Sequence, residues 1–168
     1  WDLQKTLRLL YKSNPTLFEW FSSSIVYQKT EFADEFRDLM MHYFSSKKTL
    51  YHYISMAEGN YREYLKGEIV RAKKYFYVLR PVLACRWILD RGTPPPMLFS
   101  ELVKEELPVE LINPVNQLLE LKMNSSEVKL IKRITEINEY LDESIPSIKS
   151  AVRLLDDSHT PDWSELNQ

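Results

Sequence analysis

Apolar residues recur every three or four positions along nearly the whole chain, the spacing of one helical face. Leu3, Leu7, Leu10 and Tyr11 form the first stripe. Asn14-Pro15 reads as a cap followed by proline at the first helical position, opening a short helix through Trp20 and Phe21. After the polar break Ser22-Ser23-Ser24, Thr30 begins a helix with Phe32, Phe36, Leu39, Met40, Tyr43 and Phe44 on one face. The next runs from about Lys47 to Leu65 through Leu50, Tyr53, Ile54, Ala57, Tyr61 and Tyr64. Gly59 inside it is expected to allow close packing, and Gly67 to serve as its C-cap. Ile69 to Arg91 is expected to form one helix ended by Gly92. Pro81 within it removes a backbone donor and crowds the Tyr77 carbonyl, so a bend is expected there.

Thr93-Pro94-Pro95-Pro96 is a stiff connector whose start cannot be helical. Phe99 to Leu107 reads as a short helix, and Asn113-Pro114 caps or bends the one ending near Asn124. Ser125-Ser126-Glu127 is expected to open a long helix carrying Val128, Ile131, Ile134, Ile137 and Leu141; Pro146 kinks or restarts it before Ile148, Val152 and Leu155. The pattern predicts an all-α fold, an irregular multi-helix bundle of about six to eight helices. Residues 1–155 form a single helical domain in this reading, and residues 156–168 a loosely held tail. Three glycines in 168 residues argue against a sheet-rich fold and against a glycine-rich phosphate loop. The chain begins at Trp1 inside a helical pattern, which is the expectation for a domain cut from a longer protein.

Charge is unevenly distributed. The net charge of −2 conceals a basic stretch from Arg62 to Arg91 with eight Lys/Arg against three Asp/Glu, followed by a segment with seven against fourteen. Tyr75, Phe76, Tyr77 and Trp87 lie between the basic residues, so a polyanion such as a nucleotide or RNA is expected on this helix. Cys85 is the only cysteine and falls in an apolar register, which reads as a small buried hydrophobe in a reducing, cytoplasmic setting. No apolar run reaches the roughly 18 residues of a membrane span.

The chain carries no Walker loop, no G-x-S-x-G and no Cys/His metal spacing, and His42, His52 and His159 are scattered. Asp156-Asp157 and Asp142-Glu143 read as solvated pairs rather than a metal platform. No catalytic and no metal-binding residue is therefore assigned. The basic helix offers more. Lys73, Tyr77, Arg80 and Arg91 can share one face, and Lys73, Lys74 and Arg80 together could hold an anion. The alternative is that Arg80 and Arg86 pair with acids on neighbouring helices while Tyr75, Phe76, Leu79 and Trp87 are core. Asn60 beside Gly59 in mid-helix is costly for helix propensity and implies a buried polar contact, within the fold or to a partner.

Three segments, Leu7–Tyr27, Tyr43–Leu65 and Lys73–Pro96, together resemble the YcgL-type nucleotidyltransferases predicted within the DNA polymerase β superfamily. In that family a catalytic half comes first, with a Gly-Ser turn and an Asp-x-Asp pair that hold metal ions and triphosphate. This chain has no Gly-Ser and no Asp-x-Asp. The resemblance implies the helical C-terminal region of such an enzyme, inactive alone, whose partner is the missing N-terminal catalytic domain. Magnesium and a nucleoside triphosphate would belong to the parent enzyme, with no cofactor in this fragment. By the same analogy Lys73, Lys74, Tyr77 and Arg80 would face nucleotide phosphates or the acceptor, with Asn60 and Tyr61 lining the same groove. The segment Asn14–Trp20 would be scaffold, because Leu17, Phe18 and Trp20 are core-type residues.

Two other functions compete with a nucleotide- or acceptor-binding domain. One is a protein–protein interaction module, its basic helix neutralised internally by the acidic half, with no affinity for nucleotides. The other is an independent enzyme, which the absence of a nucleophile–base pair or metal cluster disfavours.

Overall fold

The computed structural model describes residues 2–28, 30–124, 129–156 and 162–166. Helices α1 (Leu3–Tyr11), α2 (Pro15–Phe21) and α3 (Glu31–Tyr43) precede α4 (Ser46–Tyr64). Strand β1 (Ile69–Arg71) leads into α5 (Lys74–Arg91), then α6 (Phe99–Glu106), a single 3-10 turn (Val109–Leu111) and α7 (Ile112–Asn124). Strand β2 (Leu130–Lys132), α8 (Thr135–Leu154) and the four-residue α9 (Trp163–Leu166) complete the described chain. The fold is mostly helical, as its periodicity predicts.

Local signals act where the sequence places them. Asn14 accepts a hydrogen bond from the Thr16 amide and Pro15 starts α2, while Gly92 ends α5 at φ 66°, a conformation favourable to glycine. The Pro94–Pro96 connector is non-helical.

Two stretches expected to be helical are strands. Ile69–Arg71 pairs antiparallel with Leu130–Lys132, Val70 opposite Ile131. The Ala72 amide donates to the Lys129 carbonyl and the Arg133 amide to the Glu68 carbonyl, extending the ladder at both ends. Each strand is three residues long and exists because the other supplies its hydrogen-bond partners. Helix α8 accordingly begins at Thr135; the proposed start at Ser125-Ser126-Glu127, with Val128, lies outside the described residues.

The buried residues among those described form two clusters. The larger joins α4, α5, α6, α7 and α8 around Leu50, Ile54, Leu79, Leu83, Leu102, Leu118 and Leu141. The smaller joins α1, α2 and α3 through Leu10, Leu17, Phe18, Phe36, Met40 and Tyr43. Phe44 packs against both and meets Phe18 edge-on at 5.2 Å. Trp20 and Phe32, expected in the core, are both 54% exposed. In the C-terminal segment, Trp163 stands edge-on to Tyr11 at 5.3 Å, and the Tyr43 hydroxyl donates to the Asp162 carbonyl at 3.4 Å. Asp157 and His159 lie outside the described residues.

Gly59 and Gly67 also depart from expectation. A Cβ built at Gly59 would meet nothing within 4 Å, so close packing does not explain it; the α4 C-cap is Leu65, and Gly67 lies beyond it. Gly59→Ala should therefore stabilise the protein by about 0.5–1 kcal/mol, because it removes backbone entropy of the unfolded chain without a clash. Thermal denaturation would register a rise of roughly 1–4 °C.

Pro81 explains the neighbouring residue. As proline it has no N–H for the carbonyl four residues back, that of Tyr77. Asn60 on α4 supplies the substitute: its Nδ2 donates to the Tyr77 carbonyl at 3.4 Å and to the Met56 carbonyl at 2.9 Å. Two irregularities 21 positions apart in sequence thus meet across the α4–α5 contact.

Candidate functional site: a cationic, apolar groove beside α5

Three helices each turn one face to a groove of about 780 Å³. Phe76, Tyr77 and Arg80 come from the first half of α5, Phe99, Val103 and Lys104 from α6, and Asn116, Leu119 and Lys122 from α7. Spacings of three and four residues hold each set on one side of its helix. Ser23, Ser24 and Ile25 close one edge. Phe76 and Phe99 meet edge-to-face at 5.6 Å and make an aromatic floor. The Lys122 ammonium stands 5.1 Å from the Phe76 ring centroid, and Lys104 is exposed with Glu105 at 3.7 Å. Among the described residues three cations and no carboxylate line the groove, although the chain after Arg91 holds twice as many acids as bases.

Of the six residues singled out from the sequence, Tyr77 and Arg80 reach this groove. Tyr77 is 51% exposed. Arg80 is tied on two sides: Nη1 donates to the Met97 carbonyl at 2.7 Å, and Nη2 meets Glu19 Oε1 at 3.0 Å. The same Glu19 oxygen accepts the Tyr53 hydroxyl at 2.7 Å. Burial, and then the Glu19 charge, push the Tyr53 phenol well above its ordinary range and keep it a donor. Glu19 therefore joins α2 to α4 and α5 behind Arg80, outside the groove lining.

The other four residues lie elsewhere. Lys74 does not line the groove; its ammonium sits 3.6 Å from the Tyr64 ring centroid and 4.7 Å from that of Tyr77, a cation–π pairing. Lys73 precedes α5 and is half-buried. Asn60 serves the Tyr77 carbonyl, as described. Tyr61 is buried on the side of α4 facing α8, where its hydroxyl donates to the Asn138 carbonyl at 3.4 Å.

The rest of the basic stretch is largely engaged. Arg91 pairs with Glu105 at 3.1 Å and with the buried carboxylate of Glu106. Lys66 meets Asp142 at 3.0 Å, and Arg86 donates to the Tyr140 hydroxyl at 3.0 Å. Arg86 opens onto a second cavity of about 440 Å³, where Asp90 and Glu143 make the lining mixed in sign. Cys85 is fully buried, and desolvation raises its thiol far above the reactive range.

Glu19, Lys104 and Lys122 were not singled out from the sequence. The available signals were an acid inside the apolar run Leu17-Phe18-Glu19-Trp20, and two isolated lysines in an acidic half. Among the described residues no three His, Cys, Asp or Glu side chains gather as a cation site, and no helix is long and apolar enough to cross a membrane.

Comparison with known proteins supplies the remaining observations. The family model RlaP, RNA repair pathway DNA polymerase beta family, matches residues 1–168. The chain is 44% identical over 170 residues to "Uncharacterized protein YcgL" of Bacillus subtilis (strain 168), a match that takes in 100% of this chain and 65% of that protein. The chain thus spans just under two thirds of the length of this curated relative. No solved structure matches it.

Proposed function

Because this chain belongs to the RNA repair pathway DNA polymerase beta family, we propose that it is the helical part of a nucleotidyltransferase that holds a nucleotide or RNA acceptor for a catalytic domain lying outside it. The observation that carries this reading is the groove beside α5, with an aromatic floor, Tyr77 and Arg80 on its wall, and three cations but no carboxylate among the described residues that line it, Glu19 and Glu105 pairing with two of those cations from outside the lining. Bases are bound on apolar and aromatic surfaces, and phosphates by Arg and Lys. The absence of Gly-Ser and Asp-x-Asp from the sequence supports a binding role in which metal, triphosphate and bond-making belong to the other domain. Lys73 and Lys74, at the entrance to α5, would add positive potential along the approach. We place the protein in the cytoplasm, where its buried thiol meets no oxidant.

The pairing of Arg80, Arg91 and Lys66 with carboxylates favours a second reading, an interaction module whose groove takes an apolar segment of a partner protein. Salt separates the two. Fluorescence anisotropy with a short labelled RNA should show binding at about 50 mM salt that weakens by roughly tenfold or more at 200 mM, as phosphate contacts release counterions. Binding absent at the lower salt would reject the nucleotide reading. An apolar partner peptide would instead bind with little dependence on salt.

A further inference from the structure

Resting on that reading, we propose that the groove is a site for the unpaired end of a nucleic-acid strand. It would take one or two nucleotides, bases on the Phe76–Phe99 floor and phosphodiesters on Lys104, Lys122 and Arg80. This moves the site off the densest run of positive charge and into the acidic half of the chain.

Volume, lining and charge converge on this ligand. A space of about 780 Å³ lies within the range of small-molecule sites and is far too small for a duplex, which is about 20 Å across with two strands of charge. Phe76, Phe99, Val103 and Leu119 offer apolar surface to a base, and such contact requires that the base be free of its partner. The three cations come from three different helices, so the phosphate contacts depend on the assembled fold rather than on one basic segment. Ser23, Ser24, Ser100, Asn116 and the Tyr77 hydroxyl are neutral polar groups of the lining available to a sugar or base edge.

The lining of the groove favours a strand end over a free nucleoside triphosphate. Magnesium accompanying a triphosphate is ordinarily held by one or two carboxylates as well as by the phosphates. Among the described residues none lines this groove, whereas a phosphodiester needs no metal. The residues closest to the sequence-derived proposal are also differently occupied, since Lys74 is held between Tyr64 and Tyr77.

Anisotropy titrations of the 168-residue chain with a labelled single-stranded RNA tetramer, the matching DNA, a blunt RNA duplex and a labelled nucleoside triphosphate with magnesium would test the proposal. The single strand should bind with log affinity falling against log salt at a slope of about −2, the value for three contacts on a single strand. The blunt duplex and the triphosphate should each bind at least roughly tenfold more weakly. Lys104→Ala/Lys122→Ala should weaken single-strand binding by on the order of tenfold, while Lys73→Ala/Lys74→Ala changes it less than about threefold. Phe99→Leu, which keeps the apolar volume but removes the ring, should weaken it by roughly fivefold or more. Circular dichroism melts would verify that these variants remain folded.

Equal affinity for the duplex, or a loss confined to the Lys73/Lys74 variant, would overturn the strand-end site while leaving a nucleotide-binding helix intact. No binding of any nucleic acid or nucleotide at about 50 mM salt would overturn both.

Discussion

Asn138→Ala is expected to lower the stability of the protein by about 3 kcal/mol, the cost of stranding buried polar groups and leaving a small void. Asn138 on α8 is 3% exposed. Its Nδ2 donates to the Leu65 carbonyl at 2.9 Å, beyond the last turn of α4, and its Oδ1 accepts the Tyr75 hydroxyl at 2.6 Å. The Tyr75 oxygen in turn accepts the Ile134 amide at 2.7 Å, where the chain leaves β2 for α8. One side chain thus satisfies the end of α4, the start of α5 and, through Tyr75, the entry to α8. Alanine removes both the donor and the acceptor, and water has no ready access to replace them. Urea denaturation would measure the loss. Tyr75→Phe, which keeps the ring, should cost about 1–2 kcal/mol. A shift of under about 0.5 kcal/mol for Asn138→Ala would show that the network is not structural.

Glu19→Ala should cost about 2–3 kcal/mol, because two donors share its one oxygen. The Tyr53 hydroxyl, on a residue 3% exposed, loses its partner, while Arg80 keeps only the Met97 carbonyl. The effect is discounted from that of a fully buried ion pair, because the Glu19 and Arg80 side chains are 23% and 29% exposed. Glu19→Gln retains an acceptor but removes the charge, so its cost should be nearer 1 kcal/mol. The same variant distinguishes the two functional readings. Relieving Arg80 of its counter-charge should tighten RNA binding if the groove holds phosphate, and should leave binding of an apolar peptide unchanged. Denaturant unfolding and anisotropy on one preparation give both results.

The contrast between Glu19 and Arg80 illustrates what a sequence exposes. Arg80 stood out because it lies in a cluster of like charge. Its partner did not, because Glu19 is a single acid among core-type residues, 61 positions away. Asn60 was visible as an anomaly in a helix, but the polar contact it makes is solvent-exposed rather than buried; the contact itself, a carbonyl freed by Pro81, became visible only once α4 lay against α5. Gly59, beside it, invited an explanation by close packing that the open space around it removes. Lys104 and Lys122 belong to different helices and acquire a common role only where those helices converge on α5.

Periodicity, caps and proline placement determined that the chain is mostly helical, where α2 begins, where α5 ends and that the proline connector is not helical, because those preferences are settled within one or two turns of backbone. Tertiary structure alone decided that Ile69–Arg71 and Leu130–Lys132 are strands, because neither three-residue segment can satisfy its backbone without the other. It also decided which cations are engaged and which meet at a groove, because the strength of a charge is set by the groups and the dielectric brought beside it in space, and those are contributed by residues remote in sequence.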